Sequence, residues 1–210
     1  MKLNAFIIAA FSTLLLSGCS GLKSSAPPPD IYMLHAAPLE ETGAAARALR
    51  VLAIPEPEVP AGFEADKIVI YLQQERRMDY AAHANWSGPL PKVLQQFIVQ
   101  TASNTPGLMG VTPESGVPAA SRLLVRVNDF EPVYESGVKA APLLKVSLTF
   151  TSISQQEKVG TSFTLVKTQA ATANSLTAIT NGLEVLAREL TAEALWKMKF
   201  SPRQPRPTPD

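Results

Sequence analysis

Hydrophobic and polar positions follow two different periods along this chain, with clear breaks between them. From residue 87 the period is helical. Ser87-Gly88-Pro89 opens the run, because a proline at the first helical position gives up an N–H that has no partner there anyway. Leu90, Val93, Leu94, Phe97, Ile98 and Thr101 then fall at i, i+3, i+4, i+7, i+8 and i+11, which is one apolar helix face. Asn104-Thr105-Pro106-Gly107 stops it. A second helical run carries Leu176, Ile179, Leu183, Leu186 and Leu190 and extends to about residue 199.

Elsewhere the period is two. A short strand is predicted over residues 30–34, and a clean apolar one over 50–54, ended by Pro55-Glu56-Pro57 because proline removes ladder donors. Residues 67–72 alternate, with Ile68 and Ile70 on one side and Val69 and Tyr71 on the other. Residues 76–83 pair back on them as a hairpin through a turn at 73–75. Residues 40–47 are Ala-rich and polar and read as loop. A short strand follows the first helix near 109–112.

Three longer strands come next, over 122–131, 143–153 and 162–172, with Gly137 and Gly160 in the connections. Leu123, Val125 and Val127 share one face of the first. Leu144, Val146, Leu148 and Phe150 alternate with Lys145, Ser147, Thr149 and Thr151 in the second. Such alternation marks antiparallel strands with one wetter face. The strand near Val51, a helix and a strand near Val111 make a parallel crossover. The predicted fold class is α/β, a mixed sheet with a three-stranded antiparallel meander covered by two main helices. A two-layer α+β arrangement is the alternative.

The N-terminus breaks both periods. Lys2 precedes an apolar stretch from residue 3 to 16, followed by Leu16-Ser17-Gly18-Cys19. This is the layout of a secretory signal peptide. The last four residues resemble the bacterial lipobox. That resemblance implies cleavage before Cys19 and acylation of its sulfur and of the new amino terminus. A lone cysteine in an exported chain cannot form an internal disulfide, and lipidation gives it a use. The apolar run is shorter than the roughly 20 residues of a spanning helix. The predicted organisation is a lipoprotein signal peptide at 1–18, the lipidated Cys19 with a Pro-rich spacer at 19–29, a folded domain at 30–200 and a Pro-rich tail at 201–210. Ser20, where an aspartate would mark retention at the inner membrane by resemblance to enterobacterial sorting, points to the periplasmic face of the outer membrane.

Composition narrows the chemistry. The chain has 19 basic and 18 acidic side chains, and removing residues 1–18 takes away one basic residue, Lys2, leaving 18 of each. That balance does not support a nucleic-acid footprint. His35 and His83 stand in no metal-ligating spacing, so no metal and no cofactor are expected. Ser162 follows Gly160-Thr161, but Thr164 stands where a nucleophile elbow needs glycine. Asp66, Glu75 and Asp79 could pair as carboxylates, yet Arg76 and Arg77 beside them read better as a solvated hairpin. Asn85-Trp86-Ser87 is a glycosylation sequon without meaning in a bacterial lipoprotein. The chain is therefore expected not to be an enzyme.

Residues 66–96 carry a further signal. Asp66-Lys67-Ile68-Val69-Ile70-Tyr71, a hairpin to Tyr80, Asn85-Trp86-Ser87-Gly88-Pro89-Leu90 and the amphipathic helix follow in an order that resembles the ABC-type transport auxiliary lipoproteins. Tyr32-Met33-Leu34, the strand Val51-Leu52-Ala53-Ile54-Pro55 and the long closing helix fit as well. The resemblance spans most of residues 30–200. It departs where the family carries an arginine before the tryptophan and an acidic residue after it; this chain has Asn85, and Ser87 or Gly88. The resemblance implies an accessory subunit of an envelope transporter built around an Mce-domain protein, moving lipids between inner and outer membranes. Its partners would be that Mce-domain protein and the membrane; a homo-oligomer is left open. The hairpin over 67–83 is the expected docking edge, with Arg76, Arg77 and Trp86 as the candidate contact residues, although Trp86 also reads as a packing residue at the helix entrance. The rival reading is a periplasmic module that binds a small amphiphile or regulates a cell-wall enzyme. Such a carrier needs an apolar cavity, which the narrow apolar faces do not suggest.

Overall fold

The computed structural model describes residues 27–36, 49–154 and 160–200. The predicted signal peptide, Cys19, the loop at 40–47 and the C-terminal tail lie outside the described residues. The elements in chain order are β1 (Asp30–Tyr32), β2 (Arg50–Ala53), β3 (Lys67–Leu72), β4 (Arg77–Trp86), α1 (Leu90–Ser103), β5 (Leu108–Val111), a 3-10 turn (Pro113–Ser115), β6 (Ser121–Tyr134), β7 (Leu143–Ser154), β8 (Thr161–Ala170) and α2 (Leu176–Phe200).

The longest strand, β6, divides the sheet. Along one side it pairs antiparallel with β7, which pairs antiparallel with β8. This is the predicted meander. On its other side β6 holds two strands at opposite ends. Its start takes β2 in parallel at Leu52↔Ser121, and its end takes β3 in parallel at Tyr71↔Val133. Between them runs a segment with Pro55, Pro57 and Pro60, which have no N–H to give a ladder. Glu58, lying among them, supplies what they cannot. Its N–H donates to the Val125 carbonyl at 2.9 Å, and its carbonyl accepts from the Val127 N–H at 2.8 Å. Beyond β2 lies β5, parallel and in register from Arg50↔Leu108 to Ala53↔Val111, as the crossover predicts. Beyond β3 lie β4, antiparallel, and β1, parallel to the end of β4. Among the described residues the sheet is therefore mixed and eight-stranded, and the chain has the predicted α/β fold.

The two helices touch each other and share one core, so both lie on the same face of the sheet. Leu94, Phe97 and Ile98 of α1 meet Ile179, Leu183 and Leu190 of α2 above Leu123, Val125, Leu144, Val146, Leu148 and Phe150. Each such side chain, fully buried, stabilises by about 1.5–3 kcal/mol. Two glycines permit the close approach. A Cβ on Gly110 of β5 would overlap the Val99 carbonyl oxygen of α1, and one on Gly182 of α2 would overlap Leu144 Cδ1 of β7.

Four local readings are corrected. Pro89 is the N-cap of α1 and Leu90 its first residue, one position later than the proline signal implies. The alternation read in residues 67–72 fails at a bulge, where Ile68 alone faces residues 81–84 of β4, so Ile68 and Val69 are both buried. In β6 a second irregularity between Val127 and Asp129 resets the phase, so that Phe130 rejoins the core face. The last strand also ends two residues early, at Ala170. The chain then turns to Ser175, whose hydroxyl accepts from the Ala178 N–H and caps α2.

Candidate functional site

The residues that carried the family resemblance converge in space. Asp66, just ahead of β3, accepts from the Trp86 N–H through its carbonyl at 2.7 Å and from Asn85 Nδ2 through its carboxylate at 3.1 Å. Lys67 Nζ donates to Asn85 Oδ1 at 2.9 Å. The Ser87 N–H donates to the Tyr32 carbonyl, and the Leu90 N–H to the Ala65 carbonyl. One knot thus ties β1, β3, β4 and the start of α1 together. Asn85, which stands in place of the family's arginine, satisfies an anion and a cation at once because an amide offers both donor and acceptor.

Trp86 belongs to this knot. It is only 2% exposed and packs against Phe130, with ring centroids 5.9 Å apart. A side chain enclosed this way meets core atoms, not a partner, so its place among the contact residues is corrected to the packing role at the helix entrance.

The other two candidates are on the surface. Arg76 occupies the β3–β4 turn with φ +50, a region that non-glycine residues visit rarely. Arg77 opens β4 and is bound on both sides, to Glu75 at 2.9 Å and Asp79 at 2.8 Å. Glu75 first and Asp79 second raise the Arg77 guanidinium above its ordinary value. The Tyr80 N–H and then Arg77 hold the Asp79 carboxyl below the usual carboxylate range. Sequence reading brought Asp66, Glu75 and Asp79 together as a possible acid pair. The fold separates them, with Asp66 in the knot and the other two flanking Arg77.

The edge itself is real but shorter than predicted. β1 covers β4 only at residues 84–86. Upstream of β1 come Pro27, Pro28 and Pro29, which have no N–H to continue the pairing. The bulge over 81–84 places His83 at φ +55 and on the surface. Residues 77–83 therefore have β3 on one side and no strand on the other among the described residues. This end of the sheet also carries exposed apolar side chains: Ile31 and Met33 at β1, Met78 and Tyr80 on β4. The Tyr80 hydroxyl donates to the Gly62 carbonyl, which seats the loop before β3 beneath the edge. A surface with exposed apolar residues, balanced charge and unpaired backbone groups can recognise an extended segment.

Sequence reading missed Glu131. It lies opposite Lys145 on the face of the sheet away from the helices, is 8% exposed, and accepts from the Phe130 N–H. Burial pushes its carboxyl up to about 7, with Asp129 adding and Lys145 opposing. Its phase is set by the β6 irregularity, which no periodicity announces. The chain also has a small, partly open cavity of about 10 Å³ lined by Arg50, Leu52, Leu108, Ser152, Leu195 and Met198. That volume holds about one water and no acyl chain.

Comparison with known proteins follows the same residues. Over residues 32–193 the chain matches the family described as the ABC-type transport auxiliary lipoprotein component. The chain belongs to that family. It is thus an auxiliary lipoprotein component of an ABC-type transporter, which places it in the cell envelope. The fold agrees. A crystal structure of a protein from Xanthomonas campestris superposes with a TM-score of 0.67 at 14% identity, covering 80% of this chain and 94% of the other. A second crystal structure, of an uncharacterized protein, superposes with a TM-score of 0.65 at 14% identity over 82% and 99%. No curated protein matches in sequence. In this family member, the signature around Asp66 and Trp86 is the knot that anchors the hairpin to the first helix.

Proposed function

We propose that the chain is a lipid-anchored docking subunit, held at the periplasmic face of the outer membrane through acylated Cys19. It joins that membrane to the Mce-domain protein of a transporter that moves lipids between the two membranes. Its work is recognition and anchoring without bond making. The observation that carries this reading is the open β4 edge beside β1. The edge adjoins Pro27–Pro29, where the chain from Cys19 enters the domain. Exposed Met78 and Tyr80 give a partner strand apolar area to cover. Arg77 is already neutralised by Glu75 and Asp79, which leaves Arg76 as the cation of the turn available to an acidic partner residue.

The test is co-purification of the full-length chain with the Mce-domain protein encoded beside it. Native chain should retain that protein, and Arg76→Glu with Arg77→Glu should retain several-fold less. If the native chain retains none and instead carries stoichiometric phospholipid by mass spectrometry, the docking reading fails and the carrier reading replaces it.

A further inference from the structure

The strand pairings fix the end of the domain from which the N-terminal chain arrives. β3 ends where β6 ends, at Leu72↔Tyr134, and β8 ends beside them, with Ala170 opposite Leu143 and Leu143 opposite Val133. The β3–β4 turn, the β6–β7 loop and the turn from β8 into α2 therefore share one pole of the sheet. β6 starts at the other pole, where Ser121 pairs with Ser154 at the end of β7. β1 is parallel to β4, and β4 starts at the hairpin turn. The chain upstream of Asp30 thus heads for the hairpin pole.

Covalent reach then decides which pole an anchor at Cys19 can bring to a membrane. Lys67 and Ile31 both pair with Asn85, and Leu72 pairs with Arg77, so about 17 Å of β3 separates the level of β1 from the turn. The chain from Cys19 to Pro27 spans at most about 29 Å, whatever its conformation. That length carries Cys19 past the hairpin pole. It does not reach the other one. Continuing the Tyr71↔Val133 register places Lys67 level with residue 129, about 25 Å from Ser121 along β6. Pro27–Pro29 lead about 9 Å the opposite way, so the far pole lies roughly 35 Å from Pro27.

The hairpin pole holds an apolar side chain out in solvent. Val138 of the β6–β7 loop is 53% exposed, after a turn in which Gly137 takes φ +70. The loop is tied down beneath it. Asn174 Nδ2 donates to the Val138 carbonyl at 2.7 Å, and Asn174 Oδ1 accepts from the Tyr134 hydroxyl at 2.9 Å. Lys139 follows, exposed and without an ion pair among the described residues. An apolar tip beside a lysine suits the boundary of a bilayer, where the lysine stem lies on apolar groups and its ammonium meets phosphate. We propose that this pole rests on the phospholipid surface that holds Cys19, with Val138 among the headgroups and the Lys139 ammonium on lipid phosphate. This rests on the acylated Cys19 of the proposed function and adds an orientation to it. β4 then runs away from the membrane, and its open edge faces sideways along the length a partner strand would cover.

Cys19 is the only cysteine, so once it is acylated an introduced cysteine is the one thiol left to label. Val138→Cys marks the hairpin pole. Val117→Cys, 41% exposed and just ahead of β6, marks the other. Each full-length chain, acylated in cells, is reconstituted on vesicles of phosphatidylethanolamine and phosphatidylglycerol that contain a lipid with a spin-labelled headgroup, and the quenching of a thiol-linked fluorophore is read. Quenching should be several-fold stronger at 138 than at 117. A label on Lys139→Cys should lose most of its quenching when Val138→Asp is added, with the same fraction of chain floating with the vesicles. Equal quenching at the two poles, stronger quenching at 117, or an aspartate without effect overturns the proposal while a floating chain leaves the anchoring reading standing. A chain that does not float overturns both.

Discussion

Glu131 is the residue whose environment most changes its chemistry. Its folded carboxyl is raised to about 7 by burial, above the ordinary value of 4.5. Between these values the folded state binds more protons than the unfolded chain, so stability falls as pH rises from about 4.5 to 7 and levels off above. The slope from this group is at most about 1.4 kcal/mol per pH unit. Glu131→Gln should therefore flatten the urea midpoint between pH 5 and 7.5 and raise it at pH 8. A variant that tracks the native chain across this range would assign the slope to another group. Nothing in the periodicity marks Glu131 as buried, because the phase shift three residues earlier puts it on the face away from the helices, opposite Lys145.

Helix and strand backbones come close where α1 turns back into β5. Gly110 is required there, since a Cβ would overlap the Val99 carbonyl oxygen and stand 3.0 Å from Ala102 Cβ. A helix backbone atom cannot rotate away as a side chain can. Gly110→Ala should cost about 1–3 kcal/mol, as overpacking does, and read as a lower urea midpoint with an unchanged slope. Gly107, where the added Cβ meets nothing but φ is +80, tests the other cause. Gly107→Ala should cost through backbone strain alone. The sequence announced the helix, the crossover and Gly107 as punctuation. It held no sign that Gly110 was a contact, since a lone glycine in a four-residue strand looks the same in an open one.

For the whole molecule, the proposed reading assigns location to Cys19 and recognition to the folded domain. Cys19→Ser is expected to leave thermal unfolding unchanged and to release the chain from the membrane fraction in high salt, with loss of palmitate labelling. Persistence of the variant in washed outer membrane would show a second means of attachment. On that reading an anchor upstream of Pro27 would enter the domain through β1, beside the edge formed by β1 and β4.

Local chemistry alone determined a good deal of this protein. The apolar stripes from Leu90 and from Leu176 named both helices, and alternation from Leu123 to Leu165 named the meander, because burial against one face imposes a period that a single stretch of chain displays. The short motifs around Asp66 and Trp86 placed the chain in its family. Contacts between distant residues decided the rest. Trp86 became core because Phe130 comes to meet it, forty-four positions later in the chain. Arg77 lost its free charge to Glu75 and Asp79 only when the turn closed. The fork of the sheet at β6 and the place of Glu131 opposite Lys145 each depend on which strand lies alongside. Hydrogen-bonded pairing between segments dozens of residues apart leaves no period in the sequence of either one.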